Sequence, residues 1–143
     1  MNPPIHSEAI QTWLEAWLST HQAVAGTVHV THDGALHLAA HVNIPPPVRA
    51  AVALVPPGKG MAGLAMVRRQ PVQTCNLQDD ASGDVRPGAR AVNAGAAVAI
   101  PVEEGGGVCA VVGAAFGHTG AVPEDRLEAM TADTVALRGI LIR

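Results

Sequence analysis

Apolar side chains recur at spacings of three and four residues near both ends of the chain. The first stripe predicts an amphipathic helix over residues 7–24, with Ser7 as N-cap and Gly26 as a stop signal, and consists of Ile10, Trp13, Leu14, Trp17 and Leu18. The second follows a heptad spacing and predicts one helix from Pro123 to Arg143, with a seam of Leu127, Met130, Thr134, Leu137 and Leu141. The apolar surface of the two predicted helices together is larger than one face of a sheet can cover. This excess favours a homodimer packed through the terminal helices.

A β-hairpin is predicted over residues 27–42, with its turn at Asp33 and Gly34. A three-residue loop beginning at His32 would pair Val30 with Leu36 and place the apolar residues of both strands on one face. The same register puts His29 opposite His37 on the other face, where His41 also lies. We therefore expect a histidine cluster there, which either forms a polar face or supplies part of a metal site.

The middle of the chain contains short apolar segments separated by proline- and glycine-rich loops. The pattern predicts a strand in residues 50–55, a helix over 61–69, a strand over 72–77, and two strands over 96–102 and 108–116. Three consecutive prolines at 45–47 end the hairpin, and residues 88–93 are predicted to form a helical turn. Helix, hairpin, mixed middle, hairpin and helix is an α+β order rather than an alternating α/β one.

Composition narrows the functional classes. The chain has 143 residues, a net charge of −3, one Phe, two Trp and no Tyr, and Ala and Val make up most of its 48% hydrophobic content. Mild acidity and scarce aromatic residues argue against binding to nucleic acid or anionic membranes. No apolar run could span a membrane and no signal peptide is recognisable, which predicts a cytoplasmic protein. Two cysteines are too few for a disulfide framework or a zinc cage.

The ordered set of central segments resembles the GAF domain family, from about residue 27 to the C-terminal helix. The segments are VALV at 52–55, PGKG at 57–60, MAGLA at 61–65, PVQTCNL at 71–77 with Asp80 beyond it, AVAIPV at 97–102 and VCAVV at 108–112. Asn76 stands where the family usually has an Asp at the strand end.

The resemblance implies a single domain over residues 1–143, with an N-terminal helix (1–25), a region of sheet and pocket (26–118) and a C-terminal helix (119–143). It implies a central antiparallel sheet with the terminal helices on one face, and shorter helices and loops enclosing a small-molecule pocket on the other. It further implies a sensory or regulatory role, often as a dimer. No output module follows the last helix, so we expect the signal to pass to a separate protein unless the chain is a fragment of a longer one.

The same resemblance points to the ligand-binding residues. They belong to the short helix, to the end of the following strand and to the loop after it: Met61, Leu64, Cys75, Asn76, Asp80, Arg86 and Arg90. The two arginines are the cations of that loop, so they would either bind an anionic ligand or pair with neighbouring aspartates. Small side chains predict a modest pocket with few rings, which disfavours a large flat chromophore.

Two motifs admit other functions. Residues 58–63 match G-x-G-x-x-G, but two prolines precede them and no parallel strand with its crossover follows, so glycines that permit a tight helix entry are the better interpretation. One GAF subfamily reduces free methionine sulfoxide with cysteines, a pattern associated with the loop over residues 78–93, which contains no Cys here. Cys109 lies in an apolar strand, as inert core thiols do, whereas Cys75 lies near a strand end.

Pigment, haem and metal sites are not predicted. Neither Cys75 nor Cys109 precedes a His, as pigment attachment in the family requires, and no His lies between residues 42 and 118 to ligate haem. We expect no cofactor and no metal. The two alternatives to a sensor are a thiol-dependent reductase and a structural dimerisation module with a vestigial pocket.

Overall fold

The computed structural model describes residues 8–78 and 94–141. Within them, one antiparallel six-stranded sheet has the order β3-β2-β1-β6-β5-β4. The strands are β1 (Ala25–His32), β2 (Ala35–Val42), β3 (Leu54–Val55), β4 (Val72–Thr74), β5 (Ala97–Glu104) and β6 (Gly107–Ala115). The helices are α1 (Glu8–Thr20), α2 (Pro46–Ala51), α3 (Gly60–Arg68), α4 (Glu124–Asp133) and α5 (Ala136–Leu141). The predicted α+β class is confirmed.

The terminal helices cover one face of the sheet. The predicted stripe of α1 faces the sheet, where Leu14 and Trp17 are buried against Val28 and Val112. Polar bonds hold α1 against α4: the Trp17 Nε1–H donates to the Met130 carbonyl at 3.2 Å. No helix in residues 8–78 and 94–141 is long and apolar enough to cross a bilayer.

The C-terminal segment is broken into two helices, so the prediction of one continuous helix is wrong. The break lies at Thr134, whose backbone N–H donates to the Thr131 carbonyl at 3.1 Å and whose hydroxyl donates to the same oxygen at 2.7 Å. These bonds tighten the chain into a 3₁₀-like turn between α4 and α5. Met130, Thr134 and Leu137 are nevertheless fully buried on the sheet. The heptad seam thus packs within the chain, and Val135, half exposed, points away from it.

The predicted hairpin register is wrong. Asp33 and Gly34 both have positive φ angles, 50° and 78°, so they form a two-residue type I′ turn, which matches the strand twist better than the three-residue loop. Val30 therefore pairs with His37, and His29 pairs with Leu38. A bulge between Val28 and His29 shifts the register. Because of this bulge, the residues of β2 on its two sides point to opposite faces from those that an unbroken alternation predicts.

The histidines consequently do not form the predicted cluster. His37 contacts His32, with ring centroids 5.6 Å apart, whereas His29 lies on the opposite face. No group of three His, Cys, Asp or Glu side chains in the described part of the chain is placed to hold a metal ion.

Helix α2 was missed because its prolines were interpreted only as strand breakers. Pro46 and Pro47 occupy its first turn, where the missing N–H has no partner to lose. The helix includes the first two residues of the strand predicted over 50–55. Of that strand, only β3 (Leu54–Val55) is present. The predicted N-cap Ser7 and the turn at 88–93 lie outside the described residues.

Gly26 is not a helix stop; it lies within β1, where two elements approach closely. A Cβ at this position would lie 2.6 Å from Leu18 Cδ2 and 2.7 Å from the Gly113 carbonyl oxygen. Helix α1 ends at Thr20, and the chain then turns at Gln22, which has a φ of 59°. The glycine is therefore required by packing between α1, β1 and β6.

Substituting Gly26 by Ala should reduce the free energy of unfolding by about 1–3 kcal/mol, because the backbone carbonyl of Gly113 cannot move aside cheaply. The matched control is Gly107→Ala, also in a strand, where a Cβ meets nothing within 4 Å. That control should stay within about 0.5 kcal/mol of the parent in urea denaturation. Equal losses in both variants would contradict the packing argument.

Candidate functional site

A cavity of about 370 Å³ lies on the face of the sheet opposite the terminal helices. Its floor is formed by the strands β1, β5 and β6, and its walls come from α2, the start of α3 and the segments that flank them. Most wall residues are apolar, among them Ile44, Val48, Val52, Met61 and Leu77, and Lys59 lies at the start of α3. The predicted arrangement of a pocket under short helices is thus present.

The cavity exists because the sheet presents small side chains to it. Ala25, Ala97, Ala99 and Ala115 line the floor. Next to them is Gly113, whose missing Cβ would lie 2.9 Å from the hydroxyl oxygen of Thr27. The longer wall residues keep the helices at a distance from the sheet, and the short side chains of the floor do not fill the space between them. No Phe or Trp lines the cavity among the described residues, as the composition led us to expect.

The glycine-rich segment shapes the entry of α3 at the mouth of the cavity. Gly58 and Gly60 have φ angles of 80° and 64°, which residues other than glycine rarely adopt. A Cβ on Gly63 would lie 2.7 Å from the Pro56 carbonyl oxygen, so this glycine permits the loop to fold back against the helix. The tight-entry interpretation of the G-x-G-x-x-G match is therefore confirmed, although Gly63 packs on the loop and not on the sheet.

His29 is the one aromatic ring among the described lining residues, and it is only 3% exposed. Its Nε2 lies 2.8 Å from the Val52 carbonyl oxygen, at the end of α2. Burial lowers the pKa of His29, the bond to Val52 opposes that effect, and the nearby His37 adds to the lowering. The ring is thus held neutral and connects β1 to the segment that covers the cavity.

The predicted ligand-binding residues are distributed unevenly around this cavity. Met61 lines it, while Leu64 packs in the adjoining apolar cluster between α3 and the sheet. Asn76 is absent from the lining; its side-chain oxygen accepts a bond from the backbone N–H of Gln78 at 3.0 Å. Asp80, Arg86 and Arg90 lie outside the described residues, so their role in ligand binding stays a prediction.

Neither cysteine lines the cavity among the described residues. Cys75 is exposed near the end of β4, and Cys109 packs against the core on the terminal-helix side. The Cys109 thiol donates a bond to the Val102 carbonyl at 3.4 Å, and burial raises its pKa. The two thiols are free.

The sequence interpretation missed two parts of the site, His29 and the wall from α2. The sequence pattern predicts His29 within a histidine cluster, because a three-residue hairpin loop shifts the register by one residue from the observed pairing of His29 with Leu38. The Asp-Gly dipeptide was the signal available, since it strongly favours the two-residue turn. Val48 and Val52 were missed with the helix itself.

Comparison with solved structures identifies the fold. A GAF domain from the Acinetobacter phosphoenolpyruvate-protein phosphotransferase superposes with a TM-score of 0.76 at 14% identity, covering 94% of this chain and 81% of that one. The GAF domain/HD domain protein from Geobacter sulfurreducens gives 0.76 at 13% identity, with coverages of 94% and 90%. The chain has the GAF fold.

Enzymes occur among the solved structures that share this GAF fold. The type II free methionine-R-sulfoxide reductase from Thermoplasma acidophilum superposes with a TM-score of 0.75 at 12% identity, covering 94% of this chain and 90% of that one. Neither a protein-family model nor a curated protein sequence matches the chain. At sequence identities of 12–14%, the likeness shows a shared fold and nothing beyond it.

The lowered pKa of His29 makes stability depend on pH. Because the unfolded chain takes up this proton near pH 6.5 and the folded chain only at lower pH, the free energy of unfolding should fall as the pH drops from about 7.5 to about 5.5. His29→Gln should reduce this slope, measured by urea denaturation. Part of it should remain, since burial and Arg49 also lower the pKa of His41.

The control for this measurement is Ser19→Ala, which exchanges an exposed residue without a titratable group and should leave the slope unchanged. A slope in His29→Gln as steep as that of the parent would show that the pH dependence arises elsewhere.

Proposed function

We propose that this GAF domain is a sensory or regulatory module that binds a small molecule in the cavity beneath α2 and α3 and acts on a separate partner protein. The observation that carries the proposal is the cavity itself: about 370 Å³ of space bounded mainly by apolar side chains, with His29 held neutral in its wall. Ligand sites in proteins are typically concave, mostly apolar and supplied with a few fixed polar groups.

The fold supports this proposal. Solved structures of the same fold include the GAF domain of the phosphotransferase and a domain of a two-component sensor histidine kinase protein from Sinorhizobium meliloti. The latter superposes with a TM-score of 0.74 at 12% identity. Because GAF folds commonly serve in small-molecule sensing, ligand binding is the function that best accounts for an open cavity here.

Dimerisation through the terminal helices remains part of the proposal. The heptad seam packs against the sheet, so the surface left for a second copy is smaller than the sequence indicated. Among the large apolar side chains exposed in the described part of the chain, Val135 alone belongs to the C-terminal segment, at 49% exposure. It would lie at the centre of such an interface.

Ligand binding is tested by a thermal-shift screen of metabolites, nucleotides and anions, followed by a cavity-filling variant. A ligand at 100 times its dissociation constant should stabilise the protein by about 2.7 kcal/mol. Ala62→Leu, on α3, should abolish the shift because the added atoms occupy the cavity. The matched control is Ala16→Leu on α1, an exposed helical alanine remote from the cavity, which should retain it.

Two outcomes would contradict the sensor proposal. Ligands that stabilise Ala62→Leu and the parent equally bind elsewhere on the surface. If no compound stabilises the parent, a structural dimerisation module with a vestigial pocket becomes the better account.

The second candidate function is a thiol-dependent reductase, since reductases of free methionine-R-sulfoxide share the fold. It is less well supported because neither Cys75 nor Cys109 belongs to the described lining of the cavity. On the sensor proposal both are bystanders: Cys75 is an ordinary exposed thiol and Cys109 a thiol partly buried in the core.

Thiol titration distinguishes these candidates. With a chromogenic disulfide at about pH 7.5, Cys75 should react no faster than free glutathione, and Cys109 should react slowly because burial raises its pKa. Cys75→Ala should remove the fast phase and Cys109→Ala the slow one. A Cys75 more reactive than glutathione, together with turnover of free methionine-R-sulfoxide in the presence of dithiothreitol, would establish the reductase instead.

A further inference from the structure

The cover of the cavity has two parts that are attached to the sheet differently. Helix α3 packs into an apolar cluster on the sheet, in which Ala65 is fully buried with Ala99 and Val111. Residues 44–52, which we call the lid segment, contain α2 and extend over the cavity itself. The residues with which this segment lines the cavity are Ile44, Val48, Ala51 and Val52. Part of its inner side therefore faces open space, whereas α3 rests on the sheet.

Little of the lid segment is removed from water. Val48 is the one buried residue within 44–52, a range that the structure describes completely, and it packs in a cluster with Ala25 and Ala97 of the floor. A helix of six residues is too short to be stable by itself, so α2 depends on such tertiary contacts. Segments with little buried apolar surface open locally at a lower cost than the core of the same protein.

The lid segment is anchored to the sheet at both of its ends. Before it, the side-chain amide of Asn43 donates to the Val24 carbonyl at 2.8 Å, and Asn43 has a φ of 56°, a sharp change in chain direction. After it, the backbone N–H of Leu38 donates to the Ala53 carbonyl at 3.0 Å. The two anchors leave the chain between them free to move without displacing the strands.

His29 adds a bond between the sheet and the lid segment. A carbonyl oxygen only accepts, so the 2.8 Å contact with the Val52 oxygen means that Nε2 of His29 donates. The ring is 3% exposed, so water does not compete for this bond while the segment lies on the cavity. Val52 is the last residue of the segment, and the bond therefore fixes the peptide at which the segment leaves the sheet.

We propose that residues 44–52 act as a lid that swings away from the cavity about Asn43 and Ala53, and that the bond from His29 to Val52 holds the lid closed. Opening separates Val48 from the floor and widens the access to the cavity, while α3 and the sheet keep their positions. The lid thereby limits entry to the cavity, a regulatory role that rests on the proposed ligand-binding function. The movement itself belongs to the chain alone and is measured without a ligand.

The accessibility of a thiol placed under the lid tests the proposal. Val48→Cys and the matched Val112→Cys, in the core beneath the terminal helices, are made in a chain that also carries Cys75→Ala and Cys109→Ala. With a chromogenic disulfide, the thiol introduced by Val48→Cys should react at least about 10-fold faster than that introduced by Val112→Cys. Its rate should change little in urea below the unfolding transition, because local opening exposes little surface.

Substitutions of His29 test the bond that holds the lid. In the Val48→Cys chain, His29→Phe loses the donor to Val52 and should raise the rate about 3- to 10-fold. His29→Gln keeps an amide donor and should react nearly as slowly as the parent. A slow thiol in the chain that combines His29→Phe with Val112→Cys shows that this variant is folded.

Gly26→Ala separates local opening from unfolding of the whole domain. The added Cβ meets the Gly113 carbonyl and destabilises the sheet, so the thiol of Val112→Cys should react faster. The thiol of Val48→Cys should keep its rate, because the lid opens without unfolding the sheet. This comparison does not involve His29, so it tests the lid even where His29→Phe fails to fold.

Each part of the proposal has an outcome that overturns it. If the two thiols react at the same rate, or Gly26→Ala accelerates both equally, residues 44–52 open only with the whole domain and are not a lid. If His29→Phe leaves the rate of the Val48→Cys thiol unchanged, or His29→Gln raises it as much as His29→Phe does, His29 does not hold the lid closed. The proposed ligand-binding function fails separately, in the thermal-shift screen, and its failure would remove the regulatory role but not the movement.

Discussion

The difference in side-chain size between the two faces of the sheet determines the rest of this structure. On the side of the terminal helices, β5 presents Val98 and Ile100, which are fully buried in the main core. On the other side the same strand presents Ala97 and Ala99, whose short side chains leave open space above the sheet. Because interiors pack to nearly crystalline density, the first face closes tightly against its helices. The second face holds its helices away from the floor and so retains a cavity.

His29 is the buried polar side chain that links the sheet to the cover of the cavity. Its ring is buried in an apolar wall, and that burial is what lowers its pKa and keeps it neutral. The bond from Nε2 to the Val52 carbonyl ties β1 to the end of α2. One side chain thus anchors the cover of the cavity. A charged ring in the same place would lack the solvation that it needs.

The GAF fold occurs in both sensor domains and reductases, and the fold by itself does not separate them. In this chain the two thiols lie away from the described lining of the cavity. Cys109 faces the opposite core, where its thiol bonds to Val102, and Cys75 lies exposed beyond the end of β4. The described lining of the cavity contains no thiol.

The sequence by itself determined the elements with strong local signals: the α1 stripe, the paired strands around Pro101, the entry to α3, and a pocket with few aromatic rings. These depend on periodicity, on glycine and on composition, which are properties of short segments. Tertiary structure decided the register of β2, where a bulge exchanges the faces, and the break at Thr134, where the chain follows the sheet. It also decided the surroundings of His29. Burial and hydrogen-bond partners arise from segments distant in sequence, so the same local pattern is compatible with either face.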